Sequence, residues 1–321
     1  MRSRLAIVLI AGAVISLGLI ARGCSAREDN AVTKLETANN VVAGDKTQPA
    51  EFSISAKDDD GFDLPEREEI RQKYRLTSEA MVWVSNINGK VKVDSVDADV
   101  AEILVVHSAR GREDLQRSQV KIHQGRGRDE KSLLIYREND SSSPGSSPES
   151  RQRVILRLPR KAVFGISDIG GDVTVGEIHG RAEVMKVDGA VRVARAAGQI
   201  KIREIIGAVD VTFAPLAGNE ARIRGADIER AIDRGPETIW EGNVISVINI
   251  NGDVDLRFEG EVKADVNAWR VTGNIAPDLP NVERLPAEPP AGVLRARIGG
   301  GGVPIEIHHV NGNVRLSKAG S

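Results

Sequence analysis

Aromatic side chains are scarce in this sequence: ten among 321 residues, three of them tryptophan. That leaves little material for the stacked platforms on which proteins hold sugars or nucleobases. Cysteine occurs once, at Cys24, which excludes a disulfide framework, a structural cysteine zinc site and a CxxC redox pair. Neither sign of charge dominates. With 44 Lys and Arg against 46 Asp and Glu there is no global field to hold a polyanion, so a nucleic-acid partner is excluded. Long helical periodicity is also missing; at most, Pro65 to Gln72 reads as two helical turns. What the chain does have is glycine, 32 residues of it, and many Val and Ile.

Residues 1–26 read as an export signal or membrane anchor. Arg2 and Arg4 precede an uncharged stretch over 5–21, long for a signal core and at the lower limit for a spanning helix. A buried core helix would show a polar face, and this run has none. Cys24 follows Gly23, as a lipidated cysteine would, although Arg22 stands where a small uncharged residue is expected. Lipidation at Cys24, ordinary cleavage after Ala26 and an uncleaved anchor therefore all stay open. Residues 27–65 carry few large apolar side chains and read as a flexible linker, because they cannot bury enough surface to offset the entropy of ordering. The run Asp58-Asp59-Asp60 lacks the spacing and closing Glu of a calcium loop.

A repeat follows. From Gly171 the sequence can be cut every nine residues with glycine at each start: GDVTVGEIH, GRAEVMKVD, GAVRVARAA, GQIKIREII and GAVDVTFAP, opening at Gly171, Gly180, Gly189, Gly198 and Gly207. The third and fifth positions are apolar or small: Val173/Val175, Ala182/Val184, Val191/Val193, Ile200/Ile202 and Val209/Val211. Between them stands a polar residue every time, namely Thr174, Glu183, Arg192, Lys201 and Asp210. Period-2 alternation of β-branched residues predicts a short strand per block with one buried face. The glycines are expected at turns, often through positive φ. Related patterns surround Asn88-Gly89, Asn251-Gly252, Gly273 and Asn311-Gly312. The three Asn-Gly sites read equally as two-residue hairpin turns or as corners of a stacked coil. Further strands are predicted over 81–87, 90–96, 103–107, 119–123, 132–136 and 153–158, with a polar, Pro-interrupted loop at 138–152. The repeat domain spans 66–317, and the fold class is all-β.

These residues resemble a bacterial putative-adhesin family, a β-strand-repeat domain of unknown function that follows a signal peptide or membrane anchor. The resemblance rests on VSNINGKV at 84–91, LRLP at 156–159, the Gly-led blocks from Gly171, and the Gly-rich 299–302 leading to IEI at 305–307 and NGNV at 311–314. It covers about three quarters of the chain and implies a right-handed β-solenoid or β-helix-like stack. The family defines no catalytic residues.

The chemistry that such a fold could carry finds little support in the sequence. A calcium ladder needs an acid at a fixed place in successive blocks, but the residue after each Gly is Asp172, Arg181, Ala190, Gln199 or Ala208. The histidines, His107, His123, His179, His308 and His309, are dispersed; His308 and His309 are adjacent in a predicted strand and should face opposite ways. A carbohydrate-active site wants clustered carboxylates beside aromatics, whereas the polar positions of the repeat are mixed in charge. Trp83, Trp240 and Trp269 lie in separate regions, and the first and last are expected in the core or at an end cap. The expectation is thus a non-enzymatic protein of the bacterial cell envelope, exported to the periplasm or cell surface, with no catalytic, metal or cofactor site. It would be held to the membrane by its N-terminal anchor or lipid and would bind an envelope protein or surface glycan. Two other readings are a signalling or stress-response accessory bound to a membrane protein and, more weakly, a carbohydrate-active β-helix enzyme.

Overall fold

The computed structural model describes residues 64–76, 80–125, 132–138, 149–215, 245–286 and 293–320. The proposed signal, Cys24, nearly all of the linker and Trp240 lie outside the described residues. Within them the protein is all-β, apart from one short helix, α1 (Arg112–Arg117). Among the described residues no helix is long and apolar enough to cross a membrane.

Two large mixed sheets form, their strands numbered along the chain. Across the first run β1 (Glu66–Arg75), β4 (Val100–Ala109), β7 (Ser150–Pro159), β3 (Gly89–Val96), β9 (Val173–Ile178), β11 (Val191–Ala196), β13 (Val209–Phe213), β15 (Val254–Phe258), β21 (Val314–Lys318) and β17 (Ile275–Asp278). The second runs β18 (Val282–Arg284), β19 (Leu294–Ile298), β16 (Ala264–Val271), β20 (Val303–Val310), β14 (Ile245–Ile250), β12 (Gln199–Ile205), β10 (Arg181–Val187), β8 (Val163–Ile169), β2 (Met81–Ile87), β6 (Ser132–Arg137) and β5 (Val120–Gln124). The middle of each sheet is parallel; antiparallel strands sit toward the ends, β1 and β4 on the first sheet, β5 and the pair β18/β19 on the second.

From β8 to β15 the chain alternates strand by strand between the two sheets. Consecutive glycine blocks therefore do not stack on each other. Val173 pairs with Val191, and Val191 with Val209, on the first sheet, while Ala182 pairs with Ile200 on the second. The stacking period is two blocks, eighteen residues. The apolar positions face inward and merge into one buried core shared by both sheets. Each fully buried Val or Ile there contributes about 1.5–3 kcal/mol, and Phe213 stacks on Phe258 at 5.2 Å where the first sheet's columns end.

The Asn-Gly sites are not hairpins. Each joins a strand of the second sheet to one of the first: β2 to β3, β14 to β15 and β20 to β21. The glycines at these corners stand in a column, and most have ordinary φ. Gly171, Gly189, Gly252, Gly273 and Gly312 are not left-handed; only Gly89 and Gly207, at +157° and +155°, have a φ that residues with a side chain rarely adopt. A close approach requires them instead. A Cβ on Gly189, Gly207, Gly252, Gly312 or Gly273 would fall 2.3–2.5 Å from backbone atoms of the glycine stacked beside it. Gly180 and Gly198 form the equivalent pair at the opposite corner.

Positive φ occurs elsewhere, at residues that are not glycine. Asn86, Asp168, Lys186, Glu204, Asn249, His309 and Arg270, all between 53° and 57°, make one left-handed residue in each parallel strand of the second sheet from β2 to β16. Each breaks the alternation, so that the next apolar residue returns to the core, as Val187 and Ile205 do.

Two local expectations are corrected. Residues 65–72 are not helical: β1 pairs along its whole length with β4, its charged side chains covering the edge of the sheet. The segment assigned to the 138–152 loop is shorter at its far end, because β7 begins at Ser150, where Ser150 and Gln152 are buried.

Candidate binding face on the second sheet

The polar residues of the repeat separate into two rows. On the outside of the first sheet Thr174, Arg192, Asp210, Asp255 and Arg315 stand side by side, exposed or half-buried, with Arg257 paired to Asp210. This is a solvated, charge-balanced surface. On the outside of the second sheet the matching row is Glu183, Lys201, Ser246 and Glu306, and all four side chains are buried.

Burial sets the electrostatics of that row. Glu306 is pushed up to about 7 by desolvation, which its hydrogen bond with Asn267 only partly offsets, and its Oε2 has no hydrogen-bond partner. Desolvation lowers Lys201 to about 8 against the pull of the neighbouring Glu183. Glu183 in turn accepts from the Arg203 guanidinium.

Trp83 and Trp269 lie on this same outer face, contrary to the expected core or end-cap placement. Neighbours Val82, Val84 and Ala268 face the core, and alternation turns both indoles outward. Trp83 spreads over Gly165 of the adjacent strand: a Cβ on that glycine would fall 2.0 Å from Trp83 Cζ3. Beside it Met81 is 51% exposed and Leu134 39% exposed, an apolar patch on an otherwise polar surface. At the other end Trp269 stacks on His308 with ring centroids 4.3 Å apart and planes 9° from parallel.

The histidines divide by environment. His107 is buried, bonded to Ser118 Oγ at 2.9 Å, and lowered to about 4 by desolvation and then by the charge of Arg137. His123 stacks on Tyr136, and His179 meets Glu177 at 2.9 Å within a cluster that includes Arg160 and Arg195. His308 is lowered to about 4 by burial, with His309 and Arg270 adding to the effect. The expectation that His308 and His309 face opposite ways fails. His309 is one of the left-handed residues, and the kink brings the two Nδ1 atoms to 3.0 Å. Among the described residues no group of three or more His, Cys, Asp or Glu is placed to hold a metal ion.

No family model matches the chain, and no curated protein matches it. Several solved structures are similar to it. One, from Clostridium sporogenes and described as a putative cell adhesion protein, is 12% identical with a TM-score of 0.39, covering 79% of this chain and 100% of its own. A second, a putative adhesin from Bacteroides fragilis, is 11% identical with a TM-score of 0.32 and covers 79% of this chain and 99% of its own. A third, described as a putative lipid binding protein from Parabacteroides distasonis, is 8% identical with a TM-score of 0.19, over 78% of this chain and 96% of its own.

Proposed function

We propose that this protein is an exported, envelope-associated β-solenoid that acts by binding, as an adhesin or scaffold, and that the outside of the second sheet is its contact face. One observation carries the reading: that face exposes Met81 and Leu134 beside the flat indole of Trp83, whereas the first sheet presents a solvated mixture of charges. Exposed apolar side chains gathered on one face are what a partner surface offers for burial. The alternation of strands between sheets, with an eighteen-residue register, supports the solenoid path.

The test is retention of the purified full-length chain on isolated envelope material. Met81→Asp and Leu134→Asp should weaken retention about tenfold or more, since an exposed anchor at an interface is worth roughly 1–2 kcal/mol. Arg192→Asp, on the first sheet, should leave it unchanged. Equal loss from both faces, or none, would sink the assignment of the face. Recovery of the protein from cytosol rather than envelope fractions would sink the export half. The accessory reading uses the same face and is favoured if retention needs one membrane protein and survives removal of glycans; turnover of a glycan by the purified chain would favour the enzyme reading.

A further inference from the structure

The apolar end of the contact face has a composition of its own. Val82, Val84, Leu133 and Ile135 point into the core, so alternation puts Met81 and Trp83 of β2 and Leu134 and Tyr136 of β6 on the outside, with Lys121 and His123 of β5 paired beside them. Met81 and Leu134 project into solvent, Trp83 lies flat over Gly165, and His123 stacks on Tyr136 with centroids 5.8 Å apart. Of the chain's three Trp and two Tyr, one of each stands here. No outward position of β5, β6, β2 or β8 holds a carboxylate; on this face the carboxylates begin with Glu183 of β10. The one permanent charge among those positions is Lys121, which meets Glu138 only at 3.9 Å. A glycan site would need carboxylates or amides around the aromatic rings to hold hydroxyls, whereas the cross-strand neighbours of Trp83 are Leu134 and Gly165. The place where the chain enters points the same way. Its described part begins at Leu64 and runs into β1, which flanks the first sheet at the end of the stack where β6 and β5 flank the second. The sequence before it holds the uncharged run 5–21, read as an export signal or membrane anchor.

We propose that this patch rests on the lipid surface of the membrane to which the chain is attached. Met81 and Leu134 reach below the headgroups, Trp83 and Tyr136 sit at headgroup level, and Lys121 lies among the phosphates. The inference rests on the contact face assigned above and names its partner. Trp and Tyr concentrate at membrane interfaces because an apolar ring with a polar tip suits that boundary. A carboxylate there would lose its hydration beside phosphates of the same sign, while a Lys adds attraction. Attachment through the N-terminal segment makes the second contact intramolecular, so a small patch suffices.

The readout is Trp83 itself, because attachment of the full-length chain to vesicles would not report on the patch. In phosphatidylcholine vesicles with bromine on the acyl chains near the headgroup, tryptophan emission should be quenched relative to unbrominated vesicles. Trp83→Phe should remove the quenched component, leaving the emission of Trp240 and Trp269. Met81→Asp and Leu134→Asp, at exposed positions and with circular dichroism unchanged, should each lower the ratio of docked to undocked protein about tenfold. Admixed phosphatidylglycerol should raise that ratio severalfold, and Lys121→Glu should abolish the rise. Quenching that persists in Trp83→Phe, or that ignores Met81→Asp and Leu134→Asp, overturns the proposal. So does an absence of quenching; if those two changes nonetheless release the chain from isolated envelope material, the contact face stands and its partner is a protein or a glycan.

Discussion

Gly198→Ala separates two explanations of the glycine column. Gly198 does not have positive φ, so an alanine suffers no backbone penalty there; the obstacle is that its Cβ would fall 1.8 Å from Gly180 O and 2.8 Å from His179 O. Those are backbone atoms of the neighbouring strand, which no rotamer change can move. To reach even 3.0 Å, the closest approach that real Cβ atoms tolerate, the corner must open by about 1.2 Å out of a strand spacing of about 4.8 Å. Next to it Ala197 N donates to Ile178 O at 2.7 Å. Stretched by that amount the bond is lost, at about 1 kcal/mol. Overpacking adds about 1–3 kcal/mol, so the expected loss is about 3 kcal/mol. Two other glycines serve as references. Gly300 has φ of +86° with nothing within 4 Å of its Cβ, so Gly300→Ala measures left-handed strain alone, about 1 kcal/mol. Gly111 has neither obstacle, and Gly111→Ala should stay within about 0.5 kcal/mol. Urea unfolding of the three variants, followed by far-UV circular dichroism, gives the ranking. A loss for Gly198→Ala no larger than that for Gly300→Ala would refute the close-approach argument.

Phe258→Ala should destabilise by about 3–5 kcal/mol in the same assay, since the ring is fully buried against Phe213 and its removal leaves a cavity between stacked strands. His107 gives a pH signature. Its folded pKa, about 4, lies below the ordinary 6.5, so the unfolded chain takes up the proton first, and stability present above pH 6.5 is lost as pH falls towards 4. The full loss is about 3 kcal/mol, and His107→Gln should flatten urea midpoints across that window, whereas an unchanged slope would assign it to other groups. Gly165→Val should displace the Trp83 indole, shifting tryptophan emission to the red with a stability loss of only about 1 kcal/mol, because the clashing atom belongs to a side chain that can move outward. An unshifted spectrum would deny that the ring lies over Gly165.

Much of the architecture is legible in the sequence because period-2 alternation is a direct image of a strand with one buried face. Met81–Ile87 is predicted to the residue and β3 to β7 are found to within a few positions, whereas β8 (Val163–Ile169), just before the first glycine block, is not predicted. β1 is missed because its sequence, EREEIRQKYR, has apolar residues only at Ile70 and Tyr74, four apart, which is a helical spacing; pairing with β4 decides otherwise. The left-handed column is hidden because Asp, Lys, Glu, Arg and His announce nothing about φ. A signal for it does exist in the eighth position of the nine-residue block. Ile178, Val187, Ala196 and Ile205 are apolar and buried three residues after the previous core position, so the alternation slips once in every strand; only Val187 and Ile205, on the second sheet, follow a left-handed residue, so the slip marks where alternation breaks and not how. That slip is also what moves His309 beside His308. The division of the polar positions into two rows is equally unreadable from a nine-residue period alone, since it depends on alternate blocks entering different sheets.

Spatial order departs from chain order at both ends of the stack, and the departure limits its growth. The pair β20/β21 lies between β14/β15 and β16/β17, although it follows all four in sequence. At the opposite end β2/β3 lies between β6/β7 and β8/β9. A stack of near-identical units laid down in sequence order would finish on flat parallel edges, each a template for the next molecule. Here the regular strands β20 and β21 are paired on both sides. Three of the four flanks go to strands poorly suited to further pairing, β1 with its run of charges, β17 with Pro277 and the three-residue β18; the fourth is the five-residue β5. The same arrangement costs folding speed, because residues 303–318 must enter between partners that precede them by tens of residues. What it secures is a face of fixed length: the outside of the second sheet ends after a set number of strands, with Trp83 toward one end and Trp269 toward the other, rather than continuing into a fibre.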